Sequence, residues 1–454
     1  MNVLLISAYE MGRQPFGLAS PAAWLRGAGF QVALLDLSQS PLDEDAVRAA
    51  DLIAFYLPMH TATRIAVRAI RKVRELNPAA HLCAYGLYAP LNWDLLRGLG
   101  VKNVIGGEFE TGLRMLARRL AGQIPPQPRV PRLSLVKQQF VVPDRAGLPP
   151  LRKYARLLMP DGAERVTGYT EATRGCKHLC RHCPIVPVYE GAFRVVQRDV
   201  VLADIRQQVA AGAEHITFGD PDFFNGPTHS IELVEALHRE FPALSYDVTI
   251  KAEHLLKHAD LLATLRRTGC AFVTSAIESV DDRVLTLLDK GHTRADFYRL
   301  VETMRSAGLP LAPTVVAFTP WTTLDSYGEM LRAIAELGLV ESVAPVQWTI
   351  RLLIPAGSRL LELAEVQSII GEFDQQALCY RWANPDARVD ALQRQIERLV
   401  EERSRAGDSR AAIFEKVWER VWRAGEKAGA AAQLPSFHLP ARATIPYLNE
   451  PWYC

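Results

Sequence analysis

Short apolar runs alternate with helix-like segments through the first part of the chain. The runs have the length and character of buried parallel strands, and they are Val3 to Ser7, Gln31 to Leu37, Leu52 to Leu57, His81 to Ala84 and Val101 to Ile105. Helical patterns at Ser20 to Gly29 and Ala62 to Leu76 lie between them. The pattern predicts an open doubly wound α/β sheet over residues 1–122. Such a sheet binds ligands at the carboxyl ends of its strands.

A proline-rich linker is predicted at residues 123–160, because seven of the 29 prolines fall between Ile124 and Pro150. Six more apolar runs then alternate with helical patterns and predict a partial (β/α)6 barrel over residues 161–365. The predicted barrel strands are Arg165 to Ala172, His215 to Gly219, Ser245 to Ile250, Ala271 to Ala276, Leu311 to Phe318 and Ser342 to Arg351. Active sites of such barrels lie at the carboxyl ends of the strands.

The remaining residues, 366–454, have a mainly helical and charged pattern. Apolar residues recur there at three- and four-residue spacing, which predicts a helix packed on the core. They are Phe414, Val417, Trp418, Val421 and Trp422. A chain of 454 residues is long enough for two or three domains, and its 49% hydrophobic and 22% charged residues are typical of a globular protein.

The balance of charge excludes some classes of partner. Lys and Arg total 52 against 50 Asp and Glu, a net charge of +2, so neither nucleic acid nor an anionic membrane is an expected partner. No basic region precedes the apolar amino-terminal run, so we expect no secretory signal and a cytoplasmic location. The longest uncharged stretch, Ser306 to Leu324, contains three prolines and is not expected to span a membrane.

Three of the seven cysteines fall within eight residues, as Cys176, Cys180 and Cys183. An odd count without a secretion signal argues against a disulfide framework. In this C-x3-C-x2-C spacing, three thiolates can ligate three irons of a cubane cluster and leave the fourth iron open to a small molecule. The neighbouring basic residues are expected to favour the ionised thiolates, and they are Arg174, Lys177 and Arg181.

A structural zinc site is the alternative. It needs four ligands, and the fourth would have to be His178 or His182 on the same short loop, which would strain a tetrahedral site. The other cysteines suggest no second cluster by their spacing, and they are Cys83, Cys270, Cys379 and Cys454.

The triad directly after the first strand of a partial barrel resembles the radical S-adenosylmethionine (SAM) superfamily. The resemblance implies a [4Fe–4S] cluster whose open iron binds SAM. Reductive cleavage of SAM then gives methionine and a 5′-deoxyadenosyl radical. It also implies an electron donor of the flavodoxin or ferredoxin type, and a substrate that the sequence does not identify.

Family positions for SAM can be carried over one by one. His182, before the third cysteine, would pack on adenine, although the family more often has an aromatic residue there. Gly219 and Asp220 are a variant of the motif that receives the SAM amino group. Lys251 would pair with the SAM carboxylate, and Glu278 would contact the ribose. The alternative for each is a salt bridge at the barrel mouth.

The amino-terminal pattern resembles the flavodoxin-like, cobalamin-binding domain that precedes the barrel in cobalamin-dependent radical SAM enzymes. Gly106-Gly-Glu-Phe-Glu110, after the fifth strand, resembles the family's closing Gly-Glu-x-Glu. The resemblance implies cobalamin contacts from Thr61, Tyr85, Gly86, Gly107 and Glu108. The Asp-x-His-x-x-Gly motif for the lower ligand does not occur, and His60 is the only nearby candidate. The alternative is a degenerate domain that binds nothing.

The carboxy-terminal sequence ends in Cys454 and resembles a radical SAM group whose tails end Cys-Cys-Ala-Glu-Pro or Cys-selenocysteine-Ala-Glu-Pro, the CCAEP/CUAEP group. Gly219-Asp-Pro-Asp222, Lys251 and Pro320-Trp321 carry the same resemblance. A selenocysteine codon is also a stop codon, so we hypothesise that a selenocysteine-containing tail follows Cys454. An ordinary chain end is the alternative.

The resemblance favours a cobalamin-dependent methyltransferase acting on an unactivated centre. A radical SAM rearrangement or oxidation enzyme with a degenerate amino-terminal domain, and a non-catalytic iron–sulfur sensor, stay open. Methylthio transfer would need three more cysteines near the amino terminus, where only Cys83 is present. Tyr169, Glu171 and Tyr189 lie near the cluster loop and are further candidate site residues without assigned roles.

Overall fold

The computed structural model describes residues 1–125, 130–424 and 445–449. Its amino-terminal part is a parallel six-stranded sheet of order β2-β1-β3-β4-β5-β6. The strands are β1 Asn2–Ser7, β2 Gln31–Asp36, β3 Leu52–Tyr56, β4 His81–Tyr85, β5 Asn103–Gly107 and β6 Leu133–Ser134. The helices are α1 Phe16–Gly27, α2 Glu44–Ala49, α3 His60–Leu76, α4 Trp93–Gly98 and α5 Phe109–Leu120.

Helices cover both faces of this sheet, which is why its strands read as continuous apolar runs. Alternate residues of β1 point to opposite sides, because the side-chain period of a strand is two. Val3 and Leu5 join the core beneath α1 and α5, and Leu4 and Ile6 join the core beneath α2, α3 and α4. The predicted doubly wound sheet and its five strands are confirmed.

The second part is built on a seven-stranded sheet of order β14-β13-β12-β11-β8-β7-β17. The strands after residue 155 are β7 Arg156–Leu158, β8 Glu164–Thr170, β9 Thr173–Gly175, β10 Phe193–Val195, β11 His215–Phe218, β12 Ser245–Thr249, β13 Cys270–Glu278, β14 Leu311–Val315, β15 Ile370–Asp374, β16 Cys379–Trp382 and β17 Tyr447–Leu448. Five of them, β8 and β11 to β14, run parallel as a partial barrel.

Helices lie between and after the barrel strands. They are α6 Val186–Tyr189, α7 Arg198–Ala210, α8 Pro227–Glu240, α9 Ala252–Lys257, α10 Leu262–Arg267, α11 Asp282–Leu288, α12 Arg294–Ser306, α13 Leu324–Glu336, α14 Ala364–Gln367, α15 Ala387–Arg405 and α16 Arg410–Ala424. The last two contribute apolar residues to the same core as the barrel strands.

The predicted sixth barrel strand, Ser342 to Arg351, is wrong. The segment instead forms two 3₁₀ turns, Val340–Ser342 and Pro345–Trp348. Pro345 has no N–H to donate to a neighbouring strand, and the Gln347 side-chain oxygen accepts the Val315 N–H of β14 at 2.9 Å instead. An isolated parallel β-bridge between Phe318 and Arg351 is the only strand-like pairing in the described part of the predicted sixth strand.

The prediction of a mainly helical region after residue 365 missed a hairpin. Strands β15 and β16 pair antiparallel, with Phe373 opposite Tyr380. The turn between them is closed by the Asp374 carboxylate, which accepts the N–H groups of Gln376 and Ala377. The predicted linker at 123–160 also contains structure, since β6 joins the first sheet and β7 joins the second.

Among the described residues, no helix is both long enough and apolar enough to cross a membrane. Cys454 and the tail hypothesis lie outside the described residues.

Helix α16 should stabilise the barrel through its apolar face. Phe414 is fully buried, with its ring centroid 5.4 Å from that of Trp348. We expect Phe414→Ala to lower the free energy of unfolding by about 3–5 kcal/mol, because it removes a large buried side chain and leaves a cavity. Urea unfolding followed by tryptophan fluorescence measures this loss. The exposed Arg420→Ala on the same helix should change it by less than about 0.5 kcal/mol, and equal effects of the two would contradict this packing.

Candidate functional site

The cysteine loop begins at the end of β9, close to the carboxyl end of the first barrel strand. Gly175, just before the first cysteine, has φ of +74°. A Cβ atom there would lie 2.4 Å from Tyr189 Cδ1 and 2.5 Å from Ala192 O. The loop therefore requires glycine at this position, both for its backbone conformation and for space.

Buried contacts hold the loop against the barrel. The Asn225 side chain donates to Gly175 O at 3.1 Å and accepts the Lys177 N–H at 3.2 Å. The Arg181 N–H donates to Leu288 O at 2.9 Å. The loop is thus tied to the segment after β11 and to the end of α11, and sequence reasoning missed Asn225 because a single asparagine carries no spacing signal.

The three cysteines are free thiols, and Cys180 is buried. Burial raises the pKa of Cys176 to about 12 and that of Cys183 to about 11. Without metal these thiols hold their protons, whereas iron binding deprotonates a coordinating thiol outright. Three free thiols on one short loop match the donor set of an iron–sulfur cluster.

The expectation that three basic residues favour the thiolates is wrong, because each faces a different acceptor. The Arg174 guanidinium lies among buried glutamates. Lys177 Nζ lies 3.4 Å from Asn225 O, and Arg181 donates to the carbonyl of Thr286. The cation beside the thiols is instead Lys290, whose pKa is raised against its burial by Glu278, Cys180 and Cys183.

Glu278 and His182 lie together at the end of β13. His182 Nε2 is 3.2 Å from Glu278 Oε1, and Lys290 Nζ is 3.4 Å from the same oxygen. Burial raises the pKa of Glu278, but Lys290 and His182 outweigh it and lower that pKa to about 2. Glu278 also has φ of +67°, a strained conformation of the kind that persists at functional sites.

Gly219 and Asp220 follow β11. A Cβ atom at Gly219 would lie 1.8 Å from the Tyr169 hydroxyl, so this position also requires glycine. The buried Asp220 carboxylate accepts Ala172 N–H at 2.9 Å and Thr173 Oγ1–H at 2.6 Å. Both oxygens of Asp220 are therefore occupied by the start of the cysteine segment.

Lys251 follows β12 and lies beside two acceptors. Its Nζ is 3.1 Å from His178 Nδ1 and 3.0 Å from Glu253 Oε2. The structure thus brings His182, Glu278, Gly219, Asp220 and Lys251 to the same end of the barrel as the cysteines. Their contacts with SAM stay predictions.

Arg174 joins this end of the barrel to the amino-terminal sheet. Its Nη1 lies 2.7 Å from Glu110 Oε1 and 3.5 Å from Glu108 Oε2, and its Nε lies 2.7 Å from Glu171 Oε2. The Arg174 side chain is 6% exposed and is surrounded by the rings of Phe16, Phe109 and Phe140. A cavity of about 10 Å³ beside it has room for about one water molecule.

Four of the five residues expected to contact cobalamin are engaged in contacts within the protein. Tyr85 is buried and donates to Gly17 O at 2.8 Å, and Glu108 is paired with Arg174. A Cβ atom at Gly107 would lie 2.2 Å from Ser134 O, and one at Gly86 would lie 2.9 Å from Leu57 O. The fifth, Thr61, is half-buried at the start of α3.

The remaining candidate residues have structural contacts. His60 Nε2 lies 2.6 Å from Ala377 O, in the hairpin turn after β15. Tyr189 donates to Glu108 at 3.3 Å, and Glu171 pairs with Arg174. Tyr169 is buried, with the Arg13 guanidinium 4.8 Å above its ring. These residues belong to the interface between the two parts of the chain.

The buried glutamates predict a pH dependence of stability. Burial, helped by the nearby Glu110 and Glu171, outweighs the opposing effect of Arg174 and raises the pKa of Glu108 from 4.5 to about 7. Between these two values the folded protein keeps a proton that the unfolded chain has lost, so stability should fall as the pH rises from about 4.5 to about 7. Glu108→Gln should reduce this fall, as urea unfolding at several pH values would measure.

The exposed Glu75→Gln in the same sheet domain serves as the control and should keep the wild-type dependence. If Glu108→Gln and wild type lose equal stability over this range, Glu108 does not hold its proton in the folded protein.

Residues 170–334 match the family model described as the Radical SAM superfamily. Hopanoid C-3 methylase of Methylococcus capsulatus is 25% identical over 331 residues, which cover 68% of this chain and 62% of that protein. Ribosomal protein uS12 methylthiotransferase RimO of Parabacteroides distasonis is 26% identical over 184 residues, 37% of this chain and 41% of that protein. The chain therefore spans less than two thirds of the length of either relative.

Two solved structures have a similar fold. The cobalamin-dependent SAM radical enzyme OxsB, with aqua-cobalamin bound, has a TM-score of 0.67 at 14% identity over 87% of this chain and 66% of that one. The radical SAM methyltransferase TsrM from Kitasatospora setae, with tryptophan and a SAM analogue bound, has a TM-score of 0.62 at 19% identity over 80% of this chain and 76% of that one. The family match, over residues that include the three free thiols at the barrel mouth, shows that this chain contains a radical SAM domain.

Proposed function

We propose that the chain is an enzyme that cleaves SAM reductively at a [4Fe–4S] cluster held by Cys176, Cys180 and Cys183. The observation that carries the proposal is the set of three free thiols on one loop at the carboxyl end of a partial barrel. Three ligands leave one iron of a cubane cluster open. When bound, the cluster supplies the electron that breaks a carbon–sulfur bond of SAM and yields a 5′-deoxyadenosyl radical.

The residues around the loop would bind and orient SAM. Glu278, with its pKa lowered to about 2, is an ionised acceptor for the ribose hydroxyl groups at neutral pH. Lys290 offsets that buried charge, so that the carboxylate costs less free energy to keep ionised. Lys251 is a cation for the SAM carboxylate, and His182 holds its position beside the third cysteine through Glu278. Asp220 would act indirectly, by holding the start of the cysteine segment.

The reaction proposed for the radical is methyl transfer to an unactivated centre, with cobalamin as the methyl carrier. Two similarities support this proposal: one relative is a hopanoid C-3 methylase, and the fold is shared with OxsB and TsrM. The carboxyl edge of the sheet faces the barrel, as such a carrier requires. The residues at this edge do not fit a corrinoid as they are packed, since Glu108 and Tyr85 are committed to Arg174 and Gly17.

This closed edge favours a second candidate, a radical SAM enzyme that does not transfer a methyl group. In that case the amino-terminal sheet would serve only to pack against the barrel and exclude water from it. Hydroxocobalamin added to the cluster-loaded enzyme separates the two candidates. A corrinoid retained after gel filtration, seen by its visible spectrum, supports methyl transfer. Deoxyadenosine formation without a retained corrinoid supports the second candidate.

The proposal predicts that the thiols are required for SAM cleavage. Anaerobically reconstituted wild type with dithionite and SAM should form 5′-deoxyadenosine, measured by chromatography and mass spectrometry. Cys176→Ala should reduce its formation to the background of the protein-free reaction, because the cluster loses a ligand. The matched control Cys379→Ala removes a half-buried thiol on β16 and should keep wild-type formation. Wild type with a loaded cluster that forms no deoxyadenosine would refute the proposal.

A further inference from the structure

A second group of ligand-type side chains lies beside the cysteine loop. It consists of His178 from the loop itself, Asp222 from the segment after β11 and His254 from α9. One nitrogen of each imidazole and one oxygen of the carboxylate lie within 4.8 Å of one another. Three separate segments of the chain therefore converge on one small volume.

The three side chains are shielded from water. Asp222 is 1% exposed, His254 3% and His178 14%. The burial of Asp222 favours a neutral acid, but His178 and His254 outweigh it and lower its pKa to about 2. The group therefore presents a buried anionic oxygen and two imidazole nitrogens.

The converging atoms lie at ion-pair distances from one another. His254 Nδ1 is 2.6 Å and His178 Nε2 is 3.3 Å from Asp222 Oδ2. Each of these three atoms is buried and has no hydrogen-bond partner of acceptable geometry. Buried polar atoms are rarely left in this state unless an ion or a water satisfies them.

Other residues contact the atoms of Asp222 and His178 that face away from the converging atoms. Asp222 Oδ1 accepts the Phe224 N–H at 3.1 Å, which leaves Oδ2 directed at the two imidazoles. His178 Nδ1 lies 3.1 Å from Lys251 Nζ and 3.9 Å from Glu253 Oε2. A metal on Nε2 would leave Nδ1 as an N–H donor, so its acceptor would be the Glu253 carboxylate. Lys251 would then pair with Glu253, which lies 3.0 Å from its Nζ, and not donate to the ring.

We propose that His178, Asp222 and His254 bind a single divalent first-row transition ion beside the iron–sulfur cluster. Two imidazoles and one carboxylate suit ions such as Zn²⁺, Co²⁺ and Fe²⁺. Bonds of about 2.1 Å place ligand atoms roughly 3.4 Å apart around a tetrahedral ion. The His178 contact, at 3.3 Å, is close to that spacing, and the His254 contact, at 2.6 Å, must widen by about 0.8 Å. The ion would fasten the cysteine loop to α9 and to the end of β11.

The site does not depend on the proposed function, and zinc separates it from the cluster iron. Protein reconstituted with iron and sulfide is incubated with zinc sulfate, desalted and analysed for both metals by mass spectrometry. Wild type should retain about four iron atoms, as a [4Fe–4S] cluster requires, and about one zinc. His254→Ala should keep its iron and lose its zinc, and Asp222→Asn should lose zinc likewise. The control His258→Ala, whose ring centroid lies 6.0 Å from that of His254, should retain about one zinc.

A second measurement excludes zinc bound to the cysteines and checks folding. A variant with all three cysteines of the loop changed to alanine should still bind about one zinc, and zinc should raise its melting temperature by mass action. The rise should disappear when His254→Ala is added and persist with His258→Ala. The proposal is overturned if folded wild type retains no zinc, or if His254→Ala and Asp222→Asn retain as much as wild type. Deoxyadenosine formation, measured separately, tests the proposed function and does not bear on the zinc count.

Discussion

The buried guanidinium of Arg174 holds the two parts of the chain together. It lies two residues before Cys176, so the contact that joins the sheet to the barrel also fixes the start of the cysteine loop. A single positive charge meets the side chains of three glutamates there, Glu108, Glu110 and Glu171. Removing it would leave buried carboxylates unpaired, which is far more destabilising than losing an exposed ion pair. Loss of Arg174 would therefore weaken the interface even though other contacts cross it, such as that of Tyr189 with Glu108.

The geometry of the site follows from that constraint. Both sheets direct the carboxyl ends of their parallel strands toward the shared interface, where strand ends meet and ligands bind in folds of this type. The cysteine loop is fixed by Gly175 and Asn225, and the strained Glu278 lies at the end of β13. The same packing closes the edge that cobalamin would use. The residues expected to contact SAM therefore lie around the cysteine loop, whereas those expected to contact cobalamin are packed within the protein.

Much of this was predictable from local patterns. Continuous apolar runs identified β1 to β5 and the first five barrel strands, because strands buried on both faces carry little polar alternation. The cysteine spacing identified the loop that carries three free thiols within the radical SAM domain. The prediction of a sixth barrel strand was wrong because Ser342 to Arg351 is apolar like a strand but forms a 3₁₀ turn that begins at Pro345. The Gln347 side chain, and not a strand backbone, accepts the N–H of Val315 on β14. The partners of Arg174, Lys290 and His254 could not be predicted from the sequence, because long-range contacts between single residues leave no periodicity in it.

The central claim is that an iron left open by Cys176, Cys180 and Cys183 binds SAM. Electron–nuclear double resonance of the reduced cluster, with SAM carrying ¹⁵N in its amino group, tests this most directly. A ¹⁵N hyperfine coupling, lost when the cluster is prepared with unlabelled SAM, is the predicted result, because the nitrogen would be bonded to the open iron. A reduced cluster whose spectrum shows no ¹⁵N coupling with saturating labelled SAM would contradict the account.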